Sequence, residues 1–324
     1  MKFLIIQTSF LGDVILSTPV IEKLRYFFPE SQIDFLLRQG NEGLLHNHPH
    51  LLNLWIWNKN DGKLRTLLKL VPKIKSQKYD YVINLQRFFS TGLLTILSCG
   101  KCTIGFTKNP MSIFFSKRYP HLLNIQGSSI HEVDRNLSLI KDITNNESRF
   151  LPKLYPSLED FENTNYKDPF ITIAPTSVWF TKQFPFKKWI DVINLVDPET
   201  TVFLLGGKSD WDACEQIRKG AKHKKVVNKA GELSLLASAA LMKGALMNYV
   251  NDSAPMHLAS AMNAPVTAVY CSTVPAFGFG PLSESSKVVE THHKLTCRPC
   301  GLHGYKKCPL EHFNCSEIDP ANVL

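Results

Sequence analysis

Short, continuous apolar runs alternate along this chain with longer stretches whose apolar positions recur every three or four residues, and the alternation is played through twice. Residues 2–7 form an apolar run of the kind that is buried on both faces of a parallel sheet. A helical pattern carrying Val14, Ile15, Val20, Ile21, Leu24 and Phe27 follows it, with Pro19 either just after a helix start at Thr18 or at a kink. Further strands are predicted at 33–37, 54–57, 81–85 and 103–106, and helices at 61–75, 90–98 and 130–143. Residues 147–167, with Pro152 and Pro156 among mixed polar side chains, read as a linker. Strands at 170–174, 201–205, 226–227, 245–250 and 266–270 then alternate with helices at 189–196, 210–217, 233–241 and 256–262. Two successive strand–helix arrays predict an α/β protein of two Rossmann-like parallel-sheet domains, residues 1–165 and 166–324, facing a central cleft.

The turns that leave these strands carry the candidate chemistry. In 249–257 an apolar strand meets a helix through Asp252 and Ser253 in cap position, with Pro255 near the first helical residue, where a missing N–H costs little. Free amides gathered at such a turn favour an anion, and in an α/β protein the usual anion is a phosphate. Asp13 stands in the first turn of the helix after the first strand, and Gln86 and Arg87 follow the strand at 81–85, where polar residues of doubly wound folds reach ligand. The loop at 8–13 lacks the three glycines of a dinucleotide fingerprint, which argues against an NAD-dependent dehydrogenase. Gly206-Gly207-Lys208-Ser209 lacks the spacing of a P-loop and reads as a plain turn capped by Ser209 or Asp210.

Composition narrows the class. At 324 residues, 44% hydrophobic and 20% charged, the chain is that of a globular protein with ample core, and it contains no apolar stretch long enough to span a bilayer. The opening Met1-Lys2-Phe3-Leu4-Ile5-Ile6 is interrupted by Gln7, Gly12 and Asp13 before any cleavage-like site, so a buried strand and a cytoplasmic location are expected. The net charge is +9, of which +6 lies before residue 166. Such a surface suits anionic lipid headgroups or a phosphorylated substrate, and no nucleic-acid-binding signature accompanies it. In the helix at 61–75, Leu64, Leu67, Leu68 and Val71 make one face, Lys63, Arg65, Lys69, Lys73 and Lys75 occupy the others, and Pro72 limits the far end. Its basic face suits either solvent or a membrane surface.

Three stretches, in order, resemble the ADP-heptose:lipopolysaccharide heptosyltransferases of glycosyltransferase family 9, the second-heptose enzymes in particular. They are Thr8-Ser9-Phe10-Leu11-Gly12-Asp13-Val14, then Pro175-Thr176-Ser177 with Lys182-Gln183-Phe184-Pro185 and Trp189, then Asn251-Asp252-Ser253-Ala254-Pro255-Met256-His257 with Gly231-Glu232-Leu233-Ser234-Leu235 upstream. The resemblance implies a GT-B fold with an N-terminal acceptor domain and a C-terminal donor domain. It implies inverting, metal-independent transfer of a heptose from ADP-L-glycero-D-manno-heptose to the inner core of lipopolysaccharide. The partners it implies are a nucleotide-sugar donor and a lipid A-core acceptor, met peripherally on the cytoplasmic face of the inner membrane.

Carried over by motif, Asp13 is the expected general base and Lys182 stabilises the leaving diphosphate. Thr176, Ser177, Glu232, Asp252, Ser253, Ala254, Pro255, Met256 and His257 join Lys182 as expected donor-binding residues, and Ser9, Gly12, Gln86 and Arg87 are expected to meet the acceptor. No cofactor beyond the donor is expected. Two departures stand out: Ala254 occupies a position where the family prefers Gly, and Tyr270-Cys271-Ser272-Thr273-Val274-Pro275 replaces a more usual Phe-Gly-Pro-Thr-Asp-Pro. The alternatives are a GT-B enzyme using another nucleotide-sugar and an inactive lipopolysaccharide- or membrane-binding relative; retention of Asp13, Lys182 and Asp252 argues against the second.

Cys297, Cys300, Cys308 and Cys315 cluster near the C-terminus among His292, His293, His303 and His312. The Cys-x-x-Cys half suits a structural zinc, but the following gaps do not repeat it, so a metal is the weaker reading.

Overall fold

The structure is a computed structural model that describes residues 1–125 and 128–324. The chain forms two compact units, Met1–Tyr155 and Pro156–Leu324.

In the first unit the apolar runs become β1 (Lys2–Ile6), β2 (Gln32–Arg38), β3 (Asn53–Trp57), β4 (Tyr81–Asn84) and β5 (Cys102–Phe106). A short edge strand, β6 (Lys117–Tyr119), completes a six-stranded parallel sheet of order β3-β2-β1-β4-β5-β6. Its helices are α1 (Leu11–Ile15), α2 (Thr18–Phe27), α3 (Lys63–Ser76), α4 (Phe89–Leu97) and α5 (Glu132–Ser138). β7 (Asn124–Ile125) and β8 (Ser128–Ser129) pair antiparallel outside that sheet. Leu4 and Ile6 of β1, Leu36 of β2 and Val82 of β4 pack with Trp57, Leu67, Ile74 and Leu94 in a core on one face of the sheet.

The second unit repeats the plan with β9 (Phe170–Ala174), β10 (Thr201–Leu204), β11 (Val226–Asn228), β12 (Asn248–Asn251), β13 (Val266–Tyr270) and β14 (Ser286–Glu290). These are again all parallel, in the order β11-β10-β9-β12-β13-β14. Its helices are α6 (Leu158–Glu162), α7 (Phe186–Leu195), α8 (Trp211–Gly220), α9 (Leu235–Gly244) and α10 (Ala254–Ala261). Ile171, Ile173, Val202, Leu204 and Val269 bury themselves against Trp189, Val192, Ile193, Cys214 and Ile217. Trp189 meets Phe184 edge-on at 5.2 Å. In both sheets the order reverses beside the first strand, so the loops leaving β1 and β4, and those leaving β9 and β12, adjoin a topological switch point. The two six-stranded parallel sheets make this a GT-B type α/β fold.

The structure corrects several expectations. β6 and β14 escape the apolar pattern because both are edge strands, with mostly exposed or half-exposed side chains. The helix expected at 130–143 is only α5, capped by His131, whose Nδ1 accepts from the Val133 N–H at 3.2 Å; beyond Ser138 the chain tightens into turns. The pattern after β1 is two helices, α1 and α2, and of the two expected placements of Pro19 the structure takes the first, with α2 starting at Thr18. Pro72 does not end α3, which runs on to Ser76; Leu68 and Pro72 are both exposed, so the lost hydrogen bond falls on the surface side of the helix. The units divide at Tyr155 and Pro156 rather than at 165. Ser157 caps α6 by accepting from the Asp160 N–H at 3.1 Å, and α6 packs on α9, which places 156–165 in the second unit.

Candidate functional site

In the first unit the chain leaves β1 through buried Gln7 and Thr8, and Ser9 lies half-buried beyond them. Ser9 Oγ donates to Gln86 Oε1 at 3.1 Å, the Ser9 N–H donates to Gln7 Oε1 at 3.2 Å, and Gln86 Nε2 donates to Gln7 Oε1. Asn41 Nδ2 donates to the Ser9 carbonyl at 2.9 Å, and Asn109 Nδ2 to the Gln86 carbonyl at 2.9 Å. Ser9 and Gln86, expected to meet the acceptor, are thus joined, but Gln86 is buried and its amide is engaged in holding Ser9. Asp13, in α1, is half-exposed and accepts from the Phe10 N–H at 3.2 Å, so the carboxylate closes the turn in which it stands. Gly12 precedes it in α1, and Arg87 is exposed over the Phe88 ring at 5.9 Å.

Lys59, just past β3, was not foreseen. Its ammonium donates to the Thr8 carbonyl at 2.6 Å and to Thr8 Oγ1 at 3.0 Å, and it lies 4.8 Å from the Trp57 ring centroid. Burial, with the neighbouring cations Lys63 and Arg38, pulls its pKa down to about 8. Nothing in the local pattern marks Lys59; only strand pairing brings it to β1.

In the second unit two side chains organise the switch point. Asn251, fully buried at the end of β12, donates through Nδ2 to the Pro175 carbonyl at 2.8 Å and accepts on Oδ1 from the Phe184 N–H at 2.9 Å. It thereby stitches the exit of β9 to the segment that carries Lys182. Asp252 follows, its Oδ2 2.7 Å from Lys182 Nζ and accepting from Thr273 Oγ1 at 2.6 Å. The two charged side chains are only 14% and 7% exposed, so each depends on the other for compensation. Asp252 was expected as a cap; it is instead the acceptor of a buried ion pair, while Ser253 has cap position and turns its hydroxyl not to the helix amides but to the Asn251 carbonyl at 3.4 Å.

The other expected donor residues fall into two groups. The Thr176 and Ser177 carbonyls accept from Asn251 Nδ2 at 3.4 Å and from Gln183 Nε2 at 2.6 Å, which ties them to the Lys182 segment through the main chain. Ala254, Pro255, Met256 and buried His257 form the first turn of α10 directly after Asp252. Pro255 has no N–H and the Met256 N–H already donates to the Ser253 carbonyl at 3.1 Å, which narrows the expected cradle to the amides of Ser253 and Ala254. Glu232 stands apart: it is exposed and pairs with Lys229 at 2.9 Å, and no described contact joins it to Lys182 or Asp252.

The cysteine-rich segment, read from sequence as a separate feature, is bound into this site. Arg298, inside Cys297-x-x-Cys300, donates through Nε to the Cys271 carbonyl at 2.6 Å and through Nη2 to the Thr273 carbonyl at 2.7 Å and the Tyr270 carbonyl at 3.3 Å, and it pairs with Glu290. It therefore holds the loop from which Thr273 reaches Asp252. Thr181, next to Lys182, donates its N–H to the Tyr305 carbonyl at 3.1 Å and accepts on Oγ1 from the Tyr305 N–H at 2.8 Å and from Ser272 Oγ at 3.0 Å. Gly304 has φ +74°, and a Cβ there would lie 2.9 Å from Thr181 Oγ1, so glycine permits both the backbone and the approach.

Cys297, Cys300, Cys308 and Cys315 all carry free thiols, and among the described residues no group of three or more His, Cys, Asp or Glu side chains is placed to hold a metal ion. The Cys300 thiol donates to the Cys297 carbonyl at 3.1 Å, and Cys297 Sγ lies 4.0 Å from His312 Nε2. Burial pushes the Cys315 thiol up to about 11, as expected of a residue in the core of its unit. The tail's visible work is to buttress the Lys182–Asp252 pair.

The second unit offers a half-buried cation at a helix start, suited to an anionic leaving group. The first unit, taken by itself, carries a carboxylate at the corresponding turn of its own sheet. Comparison with known proteins agrees. Residues 67–306 match the profile of glycosyltransferase family 9 (heptosyltransferase). The chain is 28% identical over 281 residues to lipopolysaccharide heptosyltransferase 3 of Escherichia coli K12, covering 82% of this chain and 81% of that one. Its fold is similar to that of E. coli ADP-heptose lps heptosyltransferase II, with a TM-score of 0.81 at 22% identity over 100% of this chain and 96% of the other. It is also similar to E. coli heptosyltransferase WaaC with ADP-2-deoxy-2-fluoro heptose, with a TM-score of 0.71 at 19% identity over 89% and 92% of the two chains. The profile spans well over half of the sequence and includes Lys182, Asp252 and Arg298, and the chain belongs to glycosyltransferase family 9 (heptosyltransferase).

Proposed function

We propose that this glycosyltransferase moves a heptose from ADP-L-glycero-D-manno-heptose to the inner core of lipopolysaccharide, with inversion and without a metal ion. The observation that carries the reading is the Lys182–Asp252–Thr273 constellation at the start of α10. A departing ADP needs its charge met, and a cation beside helix amides meets it; Asp252 keeps Lys182 in place before the donor arrives. A structure of a family relative with an ADP-fluoroheptose supports the donor class.

In the proposed reaction the acceptor hydroxyl attacks the anomeric carbon of the donor, the C1–O bond to the diphosphate breaks, and ADP leaves with the bonding pair. Asp13 takes the acceptor proton in the same step. One displacement at C1 inverts its configuration, and it needs a single carboxylate on the acceptor side. Ser9, held by Gln86, and exposed Arg87 are the proposed acceptor contacts of the first unit. Because the acceptor is a lipid, the enzyme works peripherally at the inner-membrane surface. Among the described residues no helix is long and apolar enough to cross a membrane.

The test is a mass-spectrometric assay of purified protein with ADP-heptose and a panel of truncated core acceptors. A mass gain of one heptose on one acceptor, with stoichiometric ADP, is the expected result. Turnover with a UDP- or GDP-sugar and none with ADP-heptose would overturn the donor assignment.

A further inference from the structure

Sequence periodicity assigns Leu64, Leu67, Leu68 and Val71 of α3 to one face, and the structure divides them. Leu67 and Ile74 are buried and Leu70 and Val71 pack partly on the core, whereas Leu64 and Leu68 are 55% and 49% exposed. At 100° per residue the outward face carries Leu64, Leu68 and exposed Pro72 in one row, with Arg65, Lys69 and Lys73 in the row beside it, all three exposed. Lys63 and Lys75 add a cation near each end, and no acidic residue occurs from Lys63 to Ser76. Among the described residues none of these five cations forms an ion pair with a carboxylate.

A single exposed leucine needs no explanation, but two leucines one turn apart beside an unopposed row of cations form a pattern with a physical use. We propose that the outer face of α3 lies on an anionic lipid bilayer, with Leu64 and Leu68 sunk to the acyl boundary. Arg65, Lys69 and Lys73 then keep their stems along the apolar layer and their charges at the lipid phosphates. A nucleic acid would use the cations and leave the leucines in water, so the paired rows favour lipid. The inference deepens the proposed function, whose acceptor is a lipid, by naming the surface that meets the membrane.

The test uses the full chain without donor or acceptor and measures co-sedimentation with phosphatidylcholine vesicles that contain or lack phosphatidylglycerol. The protein is expected to pellet with the anionic vesicles only. The double variant Leu64→Ser/Leu68→Ser and the triple variant Arg65→Gln/Lys69→Gln/Lys73→Gln are each expected to lower partitioning on the order of tenfold, since both rows contribute. Circular dichroism of each variant should match the parent, because all five positions are exposed. Absence of binding to anionic vesicles, or either variant binding like the parent, would overturn the proposal. So would polyglutamate displacing the protein from vesicles while the leucine variant binds polyglutamate and vesicles as the parent does, which would indicate an acidic protein partner. Heptose transfer to a short soluble core fragment, measured separately on the same variants, keeps failure of docking distinct from failure of the catalytic reading.

Discussion

The turn at 8–13 and the turn at 251–257 leave strands that flank the switch points of their sheets, and each presents one carboxylate, yet one is half-exposed and the other buried. Asp13 lies on a half-exposed surface and accepts from an amide three residues away. Asp252 is buried and answers to Lys182 and Thr273, far from it in sequence, with Arg298 behind Thr273. A half-exposed carboxylate stays accessible to take a proton. One held by distant partners cannot change without disturbing several segments, which suits a part that must keep a cation in place.

That contrast can be tested directly, and Asp13 should give the largest effect on turnover. Asp13→Ala is expected to lower heptose transfer by about a hundredfold or more while ADP still binds, the lower range for loss of a general base. Loss of the bond to the Phe10 amide should itself lower stability by about 1 kcal/mol, the scale of a lost helix-start contact. Near-normal turnover in this variant would retire the role.

Lys182→Ala should do the reverse in kind, weakening ADP binding and rate together. It should also lower unfolding free energy by about 3 kcal/mol, because the Asp252 carboxylate is left buried without its cation. Unchanged ADP affinity by calorimetry, or an unchanged denaturation midpoint, would break the distinction drawn between the two turns.

Arg298→Ala tests whether the cysteine-rich tail acts on the site. Three carbonyls and Glu290 lose their donor, Thr273 loses its support, and kcat/KM is expected to fall on the order of tenfold, chiefly through donor KM, because the group that orients Asp252 is loosened rather than removed. Arg298→Lys should recover only part of this, since an ammonium cannot reproduce the fork. Equal losses in donor and acceptor KM would point to general destabilisation instead.

The smallest expected effect lies in the first unit, at Lys59. Its pKa in the folded chain, about 8, lies below the ordinary 10.5, so between those values the unfolded chain binds more protons than the native one. Stability should therefore rise with pH across that window as the cost of burying the charge is relieved, and Lys59→Met should flatten the rise. A denaturant series from pH 7 to about 11 reads the slope, and an identical slope in the variant would remove Lys59 as its source.

The buried strands were legible in the sequence because a strand covered on both faces must be apolar throughout, and β1, β9, β12 and β13 lie close to where the apolar runs placed them. The edge strands β6 and β14 were not, because an edge strand need not be apolar to pair. Asp13, Lys182 and Asp252 are proposed as site residues from motif order. Thr273, Arg298 and Lys59 were not legible: Thr273 stands in a loop that departs from the family's usual sequence, Arg298 inside a Cys-x-x-Cys pair read for its thiols, and Lys59 in a loop with no periodic or motif signature. Glu232, placed in the donor set by resemblance, is paired with Lys229 at the surface, where the motif could not show its company.

By itself the sequence determined the alternation of strands and helices, the two-part plan and the positions of the carboxylates, since these depend on local apolar patterning and on residues adjacent in the chain. The tertiary structure alone decided which carboxylate is buried against a lysine, that the cysteine-rich tail supports that pair, and which leucines of α3 face outward. Those outcomes depend on contacts between residues tens of positions apart and on which side of a helix the sheet covers, and neither is written in any one stretch of chain.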